Sequence, residues 1–483
     1  MNRMSTRRLL LVLILAAAAA VRCADLGGES LWLDEGVSYF KAAAPPGRII
    51  SGSSVDPNPP LYYLMLRGWM GIAGGGEAAL RLLSAGFGIL SVVLIYRLGA
   101  SFGGPAPALL AAALGSVSPL LVHFSREARM YSLEIFLGLL SMLAFLEVVR
   151  GRRGWCLAGY VASTTLLLYT HTFSFSLLLA QNAAVAFMAI FRGRDFSVPG
   201  KRWLILQGIC WALYLPWLLV IIRQAGELSR GGYWTPPLAA EDIGRMLRQF
   251  AGSVPLMTAL GIMALTGFLP VRPGTSHPGT RPILAAWIAL PILFPIAVSL
   301  CVVPVFVTRL TLPALPAVLL AAALGWNRLA GRFPRYLVAV GLLGLQAAAL
   351  TTYFSRPTRQ PLREAVVLLK AIGVPGDIVS VKPAWYRRLI GEYYGGWGGG
   401  MAVGGEALIE IPGNPAAKKG GTRYSLFCEA FPGEDRYPNA RGGAGACVRF
   451  PYFNYQADRW MEVRIQRADP ETTVSPKEGR GAR

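Results

Sequence analysis

The chain has 483 residues, of which 54% are hydrophobic and 15% charged. A soluble globular protein carries about 25% charged residues, so this composition excludes one and indicates a polytopic membrane protein. The net charge of +21 reflects basic loops facing anionic lipid and a basic C-terminal tail more than a nucleic-acid site, because no basic run is interleaved with aromatics in a recognisable binding module.

A lipid-spanning helix needs about 20 mainly apolar residues, since hydrocarbon offers no partner for backbone N–H and C=O groups. Spans are expected near 9–24, 78–97, 105–122, 130–149, 155–170, 172–191, 203–222, 254–270, 284–303, 310–326 and 336–354. That makes about eleven transmembrane helices. The first has a basic start, MNRMSTRR, and a small-residue run, AAAAAVRCA, so it reads either as a signal peptide or as an uncleaved helix. Arg22 at the would-be cleavage site favours the second reading.

Lys and Arg in short loops stay on the cytoplasmic side. With the N-terminus inside, the inner loops include RGRRG, RGRDFSVPGKR and NRLAGRFPR, all basic. The opposite loops hold most of the loop acids, among them Asp25, Glu29, Asp34, Glu35 and Asp56. The expected location is the cytoplasmic (inner) membrane, multi-pass, with the N-terminus cytoplasmic and everything after Phe354 extracytoplasmic.

Five polar clusters then fall at outer helix ends: LWLDEGVSYF (31–40), DPNPPLYYLMLRGW (56–69), HFSREARMYSL (123–133), YTHTFSFSLLLAQN (169–182) and VTRLTLPALP (307–316). Trp and Tyr anchor helices at interfaces and Arg snorkels, so any one cluster can be anchoring alone. In the first, Asp34 and Glu35 are adjacent like charges beside aromatics. Shielding would poise one of them as a general base, whereas in a solvated loop both are inert. Asp56 ahead of two prolines can be a turn former. Glu127 and Arg129 can form a surface ion pair of little energetic consequence. His171 lies in a loop so short that it sits near membrane depth, as a core histidine or one facing a cavity. Arg309 either snorkels or grips phosphate with its guanidinium fork. Acids for deprotonation and cations for an anion, gathered on one face, suit transfer of a group from a lipid-phosphate carrier.

Residues 355–483 are polar and rich in Gly and Pro, and form a second domain after a transmembrane module spanning 1–354. PLREAVVLLKAIG reads as an amphipathic helix and DIVSV as a strand, which together indicate a small extracytoplasmic α/β domain. GGWGGG (395–400) reads as a mobile loop and TTVSPKEGRGAR as a disordered end. Cys428 and Cys447 share this outer segment, and an oxidising compartment would pair them in a disulfide. Cys-x-x-Cys, His-Glu-x-x-His and Walker-type motifs are all missing from the sequence.

The ordered series W-L-D-E, D-P-N-P-P-L-Y-Y, S-R-E-A-R-M-Y-S-L, Y-T-H and Arg309 ahead of L-P-A-L-P resembles the C-type superfamily of polyprenyl-phosphate-sugar glycosyltransferases. Within it, the series is most similar to the bacterial family 39 proteins related to protein O-mannosyltransferases and the aminoarabinose transferase of lipid A. The resemblance implies an inverting transfer in one displacement, with Asp34, and Glu35 beside it, as catalytic acids. It implies that Arg129, Arg309, His171, Tyr131 and Glu127 bind donor phosphate or sugar, and that Asp56, Asn58 and Tyr62 shape the acceptor loop. The implied partners are a polyprenyl-phosphate-linked sugar, the lipid bilayer and a glycan, lipid or protein acceptor. Many relatives carry His where this chain has Asn58, a poorer metal ligand; no cofactor is assigned and a divalent metal is left open. The competing class is a transporter or flippase of lipid-linked saccharide. Transporters favour inverted repeats with sites at the midplane, whereas this chain has no internal repeat and gathers its polar groups at one face.

Overall fold

A computed structural model describes residues 3–52, 58–192, 200–231, 235–269, 279–373, 377–397, 401–403, 406–411, 423–430, 447–454 and 459–467. The chain divides into two compact units: Met1–Leu26 with Val37–Phe354, and Gly27–Gly36 with Ser355–Arg483. The segment bearing Asp34 and Glu35 therefore groups with the C-terminal part of the chain.

The first unit is helical. Its elements are α1 (Arg3–Cys23), α2 (Leu33–Ala43, whose first turn falls in the other unit), α3 (Pro46–Ser51), α4 (Leu61–Ala73), α5 (Glu77–Gly103), α6 (Pro105–Ser116), α7 (Pro119–Ser125) and α8 (Tyr131–Val149). There follow α9 (Trp155–Leu168), α10 (Phe175–Arg192), α11 (Gly200–Gly231), α12 (Ala240–Ala251), α13 (Val254–Phe268), α14 (Thr280–Cys301), α15 (Leu315–Trp326) and α16 (Arg332–Phe354). Among the described residues, seven helices are long and apolar enough to cross a membrane, or nine with the bent pairs α6–α7 and α12–α13. With α1, which carries Arg7, Arg8 and Arg22, and the 14-residue α9, helical segments occupy all eleven expected positions. The molecule is a polytopic α-helical membrane protein.

The span expected over 105–122 is bent by 57° between α6 and α7. Pro119 opens α7 and has no N–H to donate to Gly115, four residues earlier. The orphaned carbonyls are taken over from another helix. Arg22 Nη2 donates to Gly115 O at 3.1 Å, its Nη1 to Ser116 O at 2.6 Å, and its Nε to Ser125 Oγ at 3.2 Å. The approach needs a glycine opposite, since a Cβ at Gly88 would fall 2.2 Å from Ser125 Oγ and 2.9 Å from Arg22 Nε. Helix α1 is thus built into the unit through a side chain that is 1% exposed. A second close approach joins α13 and α15, where a Cβ on Gly325 would lie 1.8 Å from Met263 O. Small residues let membrane helices meet in this way, because lipid leaves van der Waals packing as the main attraction between them.

The second unit holds α17 (Leu362–Ile372) and a six-stranded sheet of β1 (Ile378–Lys382), β2 (Met401–Val403), β3 (Glu406–Glu410), β4 (Arg423–Ala430), β5 (Cys447–Asn454) and β6 (Arg459–Arg467). The strand order is β2-β3-β1-β4-β6-β5, with β1 and β4 parallel and the other pairs antiparallel. The amphipathic helix and the DIVSV strand expected from sequence are α17, which buries Leu362, Ala365, Val366 and Leu369, and β1. Gly395 of GGWGGG closes a π-helical turn, Leu389–Gly395; residues 398–400 and the TTVSPKEGRGAR end lie outside the described residues.

The expected Cys428–Cys447 disulfide is corrected by the register. Ser425 of β4 and Cys447 of β5 both pair with Gln466 of the intervening β6. Two strand steps of about 4.8 Å separate them, and Cys428 lies three residues further along β4. A disulfide needs Cα atoms within about 7 Å, and the register sets these two backbone positions further apart than that.

Candidate active site

Four of the five motifs come together in the first unit, each through a short irregular stretch between helices. In S-R-E-A-R, three successive charges have three different tasks. Arg126 donates to the carbonyls ending α1, including Ala24 O and, at 3.3 Å, Asp25 O, as a cation suits a helix C-terminus. Glu127 is wholly buried, with Oε1 3.1 Å from His123 Nε2. This corrects the expectation of a surface pair. Arg129, 5% exposed, donates from Nη1 to Ser38 Oγ of α2 at 3.3 Å and lies 5.9 Å from the Tyr131 ring centroid.

The backbone around Arg129 is tied to the N-P-P-L-Y-Y motif. Ser84 of α5 donates to Arg129 O at 3.1 Å and lies 3.0 Å from the hydroxyl of buried Tyr62. Asn58 O accepts from Lys41 Nζ at 3.0 Å, and the same ammonium sits 4.1 Å from the Tyr63 ring centroid. Leu61 N donates to Tyr169 O at 3.1 Å, which joins this motif to Y-T-H. Asp56 lies outside the described residues.

His171 begins the 3₁₀ turn Thr172–Ser174. Its Nδ1 is 3.0 Å from Glu134 Oε1, which also accepts from Ser174 Oγ at 2.9 Å. His171 meets the Tyr131 ring edge-on, with centroids 5.7 Å apart. Glu134, in the first turn of α8, is 1% exposed. An ionisable side chain inside a membrane-length helix is costly unless partnered and marks a functional position by default. Glu134 follows the 123–133 motif directly, and its signal in the sequence is an acid inside an otherwise apolar run.

Arg309, expected at the start of a helix, lies instead in the 3₁₀ turn Thr308–Ala314, half-buried. That turn is held by Trp287 Nε1 donating to Pro313 O at 2.8 Å, and it packs against α8.

In the second unit the two adjacent acids separate in role. Glu35 is fully buried: Trp32 N donates to its Oε2 at 3.4 Å, the backward half of a capping box, and Arg359 Nε lies 3.8 Å from the same oxygen. Asp34 is half-buried in the first turn of α2, where a carboxylate is favoured by the helix dipole. Asp34, Ser38 and Lys41 recur at helical spacing along α2, so they stack on one face of it. Lys41 and Arg359 were not singled out from sequence. The first is legible from that spacing, the second from nothing local. Among the described residues, no group of three His, Cys, Asp or Glu side chains could hold a metal ion.

Residues 57–220 match the profile of the dolichyl-phosphate-mannose-protein mannosyltransferase family. The matched stretch contains N-P-P-L-Y-Y, S-R-E-A-R-M-Y-S-L and Y-T-H, and leaves Asp34 and Arg309 outside. ArnT from Cupriavidus metallidurans in its apo state is similar in fold, with a TM-score of 0.60 and 12% identity over 94% of this chain and 97% of that one. Its structure bound to undecaprenyl phosphate gives 0.56 and 13% over the same shares. AglB from Archaeoglobus fulgidus, an archaeal oligosaccharyltransferase in complex with an inhibitory peptide and a dolichol-phosphate, gives 0.55 and 12% over 82% of this chain and 64% of that one. No curated protein matches the chain in sequence. At these identities the likeness is one of fold alone.

Proposed function

We propose that the protein moves a monosaccharide from a polyprenyl-phosphate donor to an acceptor hydroxyl at the outer face of the cytoplasmic membrane, in one inverting displacement. The observation that carries this reading is the convergence around Arg129. A buried guanidinium held by Ser38 and Tyr131, with Lys41 and the Glu134–His171 pair on neighbouring elements, is suited to an anionic headgroup at the end of a helical bundle. The fold likeness to a protein solved with undecaprenyl phosphate supports a lipid-linked donor.

In this mechanism Asp34 takes the proton of the acceptor hydroxyl. The acceptor oxygen bonds to the anomeric carbon as the bond from that carbon to the phosphate oxygen breaks, and the electron pair leaves with polyprenyl phosphate. Arg129 and Arg309 stabilise the charge that returns to the phosphate. Direct displacement needs no carboxylate nucleophile, so Glu35 is left to hold the start of α2. His171 and Tyr131 face the donor, Asn58 and Tyr62 shape the acceptor side, and Glu127 supports the turn through His123. Asp56 is assigned to the acceptor loop by its motif alone.

The test is a membrane assay with a panel of polyprenyl-phosphate monosaccharides. The wild type is expected to consume at least one donor; consumption of none, with lipid-linked saccharide crossing the bilayer, would favour the flippase class. In the same assay Arg309→Ala is expected to raise KM for the donor by about 10- to 100-fold, the value of one hydrogen bond to a charged group. An equal loss against acceptor concentration would point to misfolding instead. The orientation is tested with engineered thiols at Ser355 and Arg153. An impermeant reagent added from outside is expected to label Ser355→Cys and spare Arg153→Cys, and the reverse pattern would turn the proposed site to the cytoplasm.

A further inference from the structure

The segment bearing the acids is built into the C-terminal unit by an unusually dense set of polar contacts. Glu29 accepts from Thr358 N, from Thr358 Oγ1 at 2.9 Å and from Arg359 N at 3.3 Å. Ser30 Oγ donates to Glu364 Oε2 at 2.7 Å and accepts from Arg363 N at 3.1 Å. Arg363 reaches Gly27 O at 3.1 Å and Gly28 O at 2.7 Å, and Leu31 N donates to the Tyr394 hydroxyl. Arg359 pairs with Glu35, both nearly without exposure. At Gly36 the chain runs against Leu389, which a Cβ would meet at 3.0 Å.

Successive residues from 27 to 31, together with 35, are thus bonded to one short stretch, 358–364, and to Tyr394. An exposed loop with this many Gly and polar residues would sample many conformations. Here residues 27–31 are bonded on one side of Asp34 and Glu35 on the other.

We propose that Arg359 is a positioning residue that sets the place of Asp34 through Glu35 and the first turn of α2, all within the second unit. The inference rests on the proposed role of Asp34. It adds that the C-terminal unit acts on the rate of the chemical step, and is not only a surface for acceptors. A base displaced by about 1 Å can lose about 100-fold in rate, so a clamp at this point controls turnover without touching substrate.

The experiment uses the full-length protein in detergent micelles or nanodiscs, with the variants Arg359→Gln, Arg359→Lys and the milder Tyr394→Phe. Arg359→Gln is expected to lower kcat by about 10- to 100-fold, with KM for the donor within about twofold of wild type and partial recovery in Arg359→Lys. In parallel, amide hydrogen exchange over residues 27–36 is expected to quicken by about tenfold or more while α8 is unchanged. Tyr394→Phe, which removes the acceptor for Leu31 N, is expected to quicken exchange over the same residues. Unchanged exchange in both variants overturns the clamp. Faster exchange with unaltered kcat, in a protein that Asp34→Asn inactivates, overturns the catalytic part. The exchange measurement needs no substrate, so it separates failure of the clamp from failure of the base assignment.

Discussion

Replacing Asp34 by Asn is expected to lower glycosyl transfer by about 100- to 10,000-fold, the range general base catalysis contributes, while the protein stays folded. The substitution keeps size and shape, and it sits in the first turn of α2, where Asp contributes about 0.3–1 kcal/mol through the helix dipole. Stability should therefore move little. The neighbouring acid behaves differently. Glu35 has no exposure and is shared by Trp32 N and Arg359, so Glu35→Ala strands a buried guanidinium and acts mainly on folding and placement. The checks are initial rates with saturating donor and a thermal unfolding curve for each variant. A wild-type rate in Asp34→Asn would remove Asp34 as the base. A collapse of stability in that variant would mean that the residue is structural.

Arg22→Leu is expected to destabilise the helical unit by about 3–5 kcal/mol, the usual consequence of breaking a buried charged network. The cause is local and backbone in origin. Gly115 O has lost its helical donor because residue 119 is proline, and Ser116 O lies at the same break; both accept from the Arg22 fork. In a hydrocarbon surround water cannot replace that fork, and each orphaned acceptor costs about 1–3 kcal/mol. Arg22→Lys should recover only part of the loss, since one ammonium cannot reach two carbonyls and Ser125 Oγ in the same geometry. Because membrane proteins often unfold irreversibly, the useful readout is the half-life of the solubilised protein at a fixed temperature. An unchanged half-life in Arg22→Leu would show that the bend between α6 and α7 stands without the guanidinium.

Class, span positions and the N-terminal half of the C-terminal domain were legible in the sequence. Hydropathy is a local quantity, and a chain in lipid must satisfy its backbone within each segment, so eleven apolar windows became eleven helical segments. The motifs, too, could be found one by one, because Trp-Leu-Asp-Glu or Asn-Pro-Pro is a short-range pattern at a helix end. The bend at Pro119 was signalled by the proline but not located, since a proline at N1 and a proline in mid-helix look alike in a string.

What tertiary structure decided is who partners whom. Glu35 and Arg359 are 324 positions apart, and Arg22 meets Ser116 across 94. Nothing local predicts either, because such pairs form where helices and strands happen to bring two buried charges within reach. The same distance in sequence hid the role of Glu127, legible as half of a surface pair with Arg129 until burial put its carboxylate on His123. It hid the separation of Cys428 from Cys447, which depends on β6 inserting between their strands. And it hid that residues 27–36 belong with the C-terminal unit. The sequence by itself determined that two adjacent acids follow the first apolar span. Only the folded chain distinguished them, by burying one against an arginine from the far end of the protein and leaving the other partly exposed.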